Sequence, residues 1–84
     1  MKLDPHLRIE RRKGGRTRVF DPRSGGVFAL NEVADEIVRA LEKGTTRKAL
    51  LAGLGERFDA PPWVLADDLE RFLATLEHHG LLRK

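Results

Sequence analysis

Among side chains able to carry chemistry, this sequence offers three histidines (His6, His78 and His79), an adjacent carboxylate pair (Asp67 and Asp68), two glycine doublets and no cysteine. None of these sits at a working spacing. Neighbouring residues on a helix point about 100 degrees apart, so His78 and His79 diverge where an i, i+4 pair would converge on a metal ion. They suit a solvated helix end, where basic groups complement the dipole. Asp67 and Asp68 have no His, Ser or Lys at a spacing suited to general acid-base work. Gly14-Gly15 and Gly25-Gly26 are followed neither by the Lys-Ser or Lys-Thr of a phosphate loop nor by the helix of a dinucleotide site, which leaves them as turns. Lack of cysteine excludes disulfides and thiolate metal sites and allows a reducing compartment. The residue types therefore predict a binding module without cofactor or metal, not an enzyme.

The stretch with most information is Val27-Phe28-Ala29-Leu30-Asn31-Glu32, where a short apolar strand passes through an Asn into an amphipathic helix. From Leu30 the apolar positions continue as Val33, Ala34, Ile37, Val38 and Leu41, all on one helical face. Asn31 fits an N-cap, and Glu32, Asp35 and Glu36 place negative charge at the positive end of the helix dipole.

Upstream, Leu7-Arg8-Ile9-Glu10-Arg11 alternates with the period of a half-buried strand, and Lys13-Gly14-Gly15 supplies a reversal. A second strand ends in Asp21-Pro22-Arg23-Ser24-Gly25-Gly26, a turn in which proline presets φ and glycine tolerates positive φ. Downstream, Gly44 closes the first helix and Thr45 or Thr46 caps the next, whose apolar positions are Leu50, Leu51, Leu54 and Phe58. Asp59-Ala60-Pro61-Pro62 breaks the chain. Pro62 then opens a third helix carrying Leu65, Leu69, Phe72, Leu73 and Leu76 and stopping at Gly80, after which Leu81 and Leu82 pack back. The chain reads as one domain, 1–84, with strands over about 6–12, 16–21 and 27–30 and helices over about 32–43, 46–57 and 62–79. The fold class is α+β and winged helix-turn-helix-like: a three-stranded antiparallel meander followed by three helices. No apolar run is long enough for a signal peptide or membrane span, so a cytoplasmic protein is expected.

The formal charge of +3 hides an asymmetry, because residues 1–26 carry eight Lys or Arg against three acids while residues 27–84 carry eight against ten. The basic hairpin (Arg8, Arg11, Arg12, Lys13, Arg16, Arg18) has three readings: a phosphate grip, a peptide or enzyme surface, or charge that blunts a sheet edge. A winged helix that binds nucleic acid is the alternative function, favoured by the hairpin and opposed by Asp67, Asp68 and Glu70 on the third helix, where only Arg71 compensates. The third strand has two readings of its own. Its free side either accepts an incoming chain or is shielded by the protein's own segments.

Residues 19–82 carry a spread pattern: a strand ending in Leu30-Asn31, a helix with Ala34 and Ile37, a Gly44-Thr45 turn, then Asp68-Leu69, Phe72-Leu73, Leu76 and Gly80-Leu81. In order and spacing it resembles the pyrroloquinoline quinone biosynthesis protein D (PqqD) family, also called RiPP recognition elements. The segment Asp21 to Gly26 departs from the quinone-pathway members, which have a different apolar, proline-containing stretch there. The resemblance implies an adaptor that performs no chemistry. It would bind the leader region of a ribosomally made precursor peptide and present it to a modifying enzyme, such as a radical SAM maturase, a cyclase or a leader peptidase. It also implies that the leader adds as a strand beside Val27, Phe28, Ala29 and Leu30 and lies against the third helix. There Asp68, Arg71, Phe72 and Thr75 follow one another at i, +3, +4 and +7 and share a face. Phe72 reads equally as groove floor or as core, and Asp68 as charge selector or as a dipole partner in its own helix. The exposed strand would also allow two copies to pair.

Overall fold

The alternating segment Leu7–Arg11, the turn Asp21–Gly26 and the apolar run that follows it do produce a three-stranded antiparallel sheet, with its last strand at an edge. The computed structural model describes residues 1–14 and 16–83, so the expected Gly14-Gly15 reversal lies partly outside the described residues. Strands β2 (Arg8–Glu10), β3 (Arg18–Asp21) and β4 (Gly26–Ala29) follow β1 (Lys2–Leu3), and the sheet order is β2-β3-β4. Ile9, Val19 and Phe28 are register partners and form the inner row, with Val19 only 2% exposed. Arg8, Phe20 and Val27 share an outer row, and Glu10, Arg18 and Ala29 share the next.

Helices α1 (Glu32–Lys43), α2 (Arg47–Arg57) and α3 (Pro62–His78) supply the rest of the core. Asn31 caps α1 by accepting a hydrogen bond from the Ala34 N–H at 2.8 Å, and Thr46 caps α2 through Ala49 at 3.1 Å. Pro62 opens α3 without a side-chain cap, which its missing N–H makes inexpensive. Gly44 and Gly80 lie just beyond α1 and α3 with φ of 95° and 68°, positive values that glycine adopts without strain where a helix ends. Ile37, Val38, Leu41, Leu54, Leu69 and Leu73 are all buried, and Leu30 joins them from the sheet side. Among the described residues no helix is long and apolar enough to cross a membrane.

Several boundaries differ from expectation. The first strand of the sheet is three residues rather than the span 6–12, because the segment before it turns, with Leu7 N–H donating to the Asp4 carbonyl. Beyond its other end, Arg11 leaves the ladder to pair with Glu42 on α1. The second strand starts at Arg18 rather than 16, the third spans Gly26–Ala29 rather than 27–30, α2 starts one residue later than 46, and α3 ends at His78 with His79 as its cap. Leu51, placed on the apolar face of α2, is 37% exposed.

A second, two-stranded sheet was not expected. β5 (Leu82–Arg83) pairs with β1, Leu3 opposite Leu82, so the apolar tail packs back as a strand. Beside it, the His6 ring lies between two carboxylates, with Nδ1 bonded to Asp4 and Nε2 3.0 Å from Asp21. The His6 backbone N–H also donates to Asp4, and Arg83 stands 3.5 Å from it. These contacts hold the Asp4 carboxyl down to about 2 from its ordinary 3.8. For Asp21, burial alone would raise the value, but hydrogen bonds from the Arg23 N–H, the Ser24 hydroxyl and His6 overcome that and keep it low.

A carboxyl whose folded value lies below its unfolded one stabilises the fold above about pH 4 and loses that contribution as pH falls toward 2. Thermal melts at pH 7, 4, 3 and 2 should show Tm falling most steeply below pH 4. Asp4→Asn should start from a lower Tm at pH 7 and fall less over the same interval.

Candidate functional site

The free side of β4 follows from the phase of its ladder. Leu30 N–H donates to the Thr17 carbonyl at 2.9 Å, and these two residues continue the register in which Arg18 faces Ala29 and Val19 faces Phe28. Opposed residues in an antiparallel pair alternate between bonded and non-bonded, so Gly26, Phe28 and Leu30 turn their N–H and C=O groups toward β3. Val27 and Ala29 turn theirs outward. Among the described residues no strand pairs with that side. From Gly26 to Leu30 there is no charged side chain, whereas the opposite edge, β2, presents Arg8 and Glu10. Charge is the usual protection of a sheet edge, and only one of the two edges has it.

The turn before β4 fixes its start. Asp21 accepts hydrogen bonds from the Arg23 N–H and the Ser24 hydroxyl, both at 3.0 Å, while its carbonyl accepts from Gly25 at 2.8 Å. Gly25 has φ 76°, which a larger residue would adopt only with strain.

Beside the edge lies a cleft between α1 and α3, about 300 Å³ in volume. One wall is Asp68, Arg71, Phe72 and Thr75, and the other is Asn31, Val33, Ala34 and Ile37. Phe28 connects β4 to the end of α3, its ring meeting the His79 ring edge-on at 5.3 Å. Phe72 is half-buried, packing on the core with one part and flooring the cleft with another. Arg71 is held by Asp67 at 2.9 Å, one turn back on its helix, and Asp68 has no ion-pair partner among the described residues.

The eight residues expected at the site thus fall in two places. Val27, Phe28, Ala29 and Leu30 form the strand edge, with Val27 and Ala29 facing out and Phe28 and Leu30 facing the core. Asp68, Arg71, Phe72 and Thr75 share one wall of the cleft. Sequence reasoning missed the α1 wall, because Val33, Ala34 and Ile37 lie on the same apolar stripe as the core residues. It also missed His79, which follows Thr75 by four residues and therefore extends the α3 stripe toward β4. Among the described residues no set of three His, Cys, Asp or Glu side chains is arranged to hold a metal ion, and both ring nitrogens of His6 are already engaged.

A meander with one uncharged free edge beside a helical cleft defines a winged-helix-like α+β domain. The profile of coenzyme PQQ synthesis protein D (PqqD) matches residues 16–82, and the chain belongs to that family. Solved structures share the fold. TbiB1 in complex with the TbiA(beta) leader peptide aligns at a TM-score of 0.85 and 20% identity, covering 99% of this chain and 95% of that one. Lasso peptide synthetase B1 complexed with the leader peptide aligns at 0.79 and 22%, covering 95% and 93%. No curated protein matches the chain in sequence.

The ladder phase predicts opposite fates for two neighbouring proline substitutions. Phe28→Pro removes an N–H that bonds β3 and should lower stability by about 1 to 3 kcal/mol before any loss of ring packing. Ala29→Pro removes an outward N–H and should leave Tm within a few degrees of wild type. Circular dichroism melts of both variants decide it.

Proposed function

We propose that this domain binds the leader region of a ribosomally made precursor peptide by strand addition to β4 and presents it to a modifying enzyme. The observation that carries the reading is the uncharged edge with its outward Val27 and Ala29 backbone groups, lying beside the cleft of Asp68, Arg71, Phe72 and Thr75. Family membership and the leader peptides bound by TbiB1 and by lasso peptide synthetase B1 support it.

Energetics explain why both parts are needed. Two outward N–H and two outward C=O groups on β4 allow about four hydrogen bonds, worth roughly 2 to 6 kcal/mol net. Micromolar affinity requires about 8 kcal/mol after ordering costs. Side chains in the cleft must supply the remainder. Phe72, Val33 and Ala34 offer an apolar floor, Asp68, which has no ion-pair partner among the described residues, a negative rim, and Asn31 an amide whose oxygen is already used in capping α1. The domain itself contributes no chemistry in this reading. Its partner is a peptide-modifying enzyme, such as a radical SAM maturase, a cyclase or a leader peptidase, acting in the cytoplasm where the precursor is made.

The test is fluorescence anisotropy with labelled leader peptides from any short precursor reading frames found beside this gene. Wild type should bind at micromolar or tighter Kd, Ala29→Pro should bind about tenfold or more weakly at unchanged Tm, and Thr75→Arg should weaken binding by filling the cleft. Affinity should change little between 50 and 200 mM salt, whereas a grip on nucleic acid through the basic hairpin would lose orders of magnitude. Absence of binding at tens of micromolar would refute the proposal.

A further inference from the structure

We infer that the outer face of the sheet also reads the bound peptide, selecting an acidic side chain beside Ala29 and an apolar one beside Val27, two positions apart. This rests on strand addition to β4 and names the chemistry of the strand it accepts.

The outer rows are set by the register. Behind Val27 stands Phe20 and then Arg8, and behind Ala29 stands Arg18 and then Glu10. Val27 is 59% exposed and Phe20 half-buried, so an apolar peptide side chain next to Val27 would extend an apolar row that is open on that side. The neighbouring row is different. Ala29 has only a methyl group, and nothing larger stands between Arg18 and the position of an added strand. Strands are spaced about 4.8 Å apart, so that position lies roughly 10 Å from the Arg18 backbone, a distance that an extended arginine and a glutamate span together.

Charge points to the same occupant. Of the eight basic residues in positions 1–26, only Arg11 is ion-paired with a carboxylate among the described residues. Glu10 is the register partner of Arg18 but is not ion-paired with it. On the outer rows Arg8 and Arg18 outnumber Glu10, so the outer face behind the free edge carries a net positive charge that an acid on the incoming strand would reach. In an added strand, outward side chains recur every second residue, so the motif is one apolar and one acidic residue separated by one position, their order set by chain direction.

The experiment uses the full chain and the labelled leader peptide of the preceding titration, comparing wild type, Arg18→Gln, Arg18→Glu and Ala29→Pro. Arg18→Gln should weaken binding about two- to fivefold and Arg18→Glu about three- to thirtyfold. A peptide whose acid at the predicted spacing is replaced by Lys should bind Arg18→Glu better than it binds wild type. Melts of both Arg18 variants separate binding loss from unfolding, and Arg18→Gln is the milder control because it leaves Glu10 facing a neutral side chain. A leader that is lost by Ala29→Pro yet bound equally by wild type and Arg18→Glu overturns this inference and leaves strand addition standing. A wild-type protein that binds no leader removes both.

Discussion

The bond from Leu30 N–H to the Thr17 carbonyl is the contact on which the remaining architecture turns. It is the last rung of the β3–β4 ladder, and its position sets which backbone groups of β4 are spent inside the sheet and which remain outside. One residue later the chain enters α1 through Asn31, so the same rung also fixes where the helix starts relative to the strand. A slip of one residue would turn Phe28 and Leu30 to solvent and exchange the free N–H groups for the paired ones. Burial of Leu30 at 3% exposure makes such a slip costly. Core packing and the free edge are thus two results of one register.

An edge that receives another chain works best when it is held still, because ordering it on binding would consume affinity. The surroundings of β4 provide that. Asp21 ties together the turn before the strand, and His6 connects that turn to the amino-terminal segment, which the β1–β5 pair fastens to the end of α3. His6 is therefore structural. Two regions far apart in sequence hold the loop that delivers β4.

Much of this was legible in the sequence. Alternation marked the first strand of the sheet, a bounding turn the second and an apolar run the third, while Asn31 and Gly44 marked both ends of α1, and Pro62 and Gly80 marked α3. Residues 68, 71, 72 and 75 were placed on one face by helical spacing alone. What stayed hidden depends on contacts distant along the chain. Two-residue strands such as β1 and β5 have no period to detect, and they pair only because the termini meet in space. His6 gave no sign of its carboxylate partners, since Asp21 lies fifteen residues away. Arg71 could be matched to either neighbouring acid from spacing, and the structure pairs it with Asp67. The α1 wall was invisible for another reason: apolar residues that line a cleft and those that fill a core are the same residue types at the same spacing.

The shortness of β4 is itself informative. Four residues with two outward N–H groups are too few to hold a partner by backbone alone, given association costs of at least about 4 kcal/mol. Two copies pairing edge to edge would gain the same few bonds and bring no side chain for the cleft of either copy. In the proposed complex a foreign strand would add side chains on both of its faces, one set for the cleft and the other beside Val27 and Ala29. An edge left uncharged would ordinarily risk indiscriminate pairing. Here its small size limits that risk, because backbone pairing becomes worthwhile only for a chain whose side chains also fit the surfaces on either side of it.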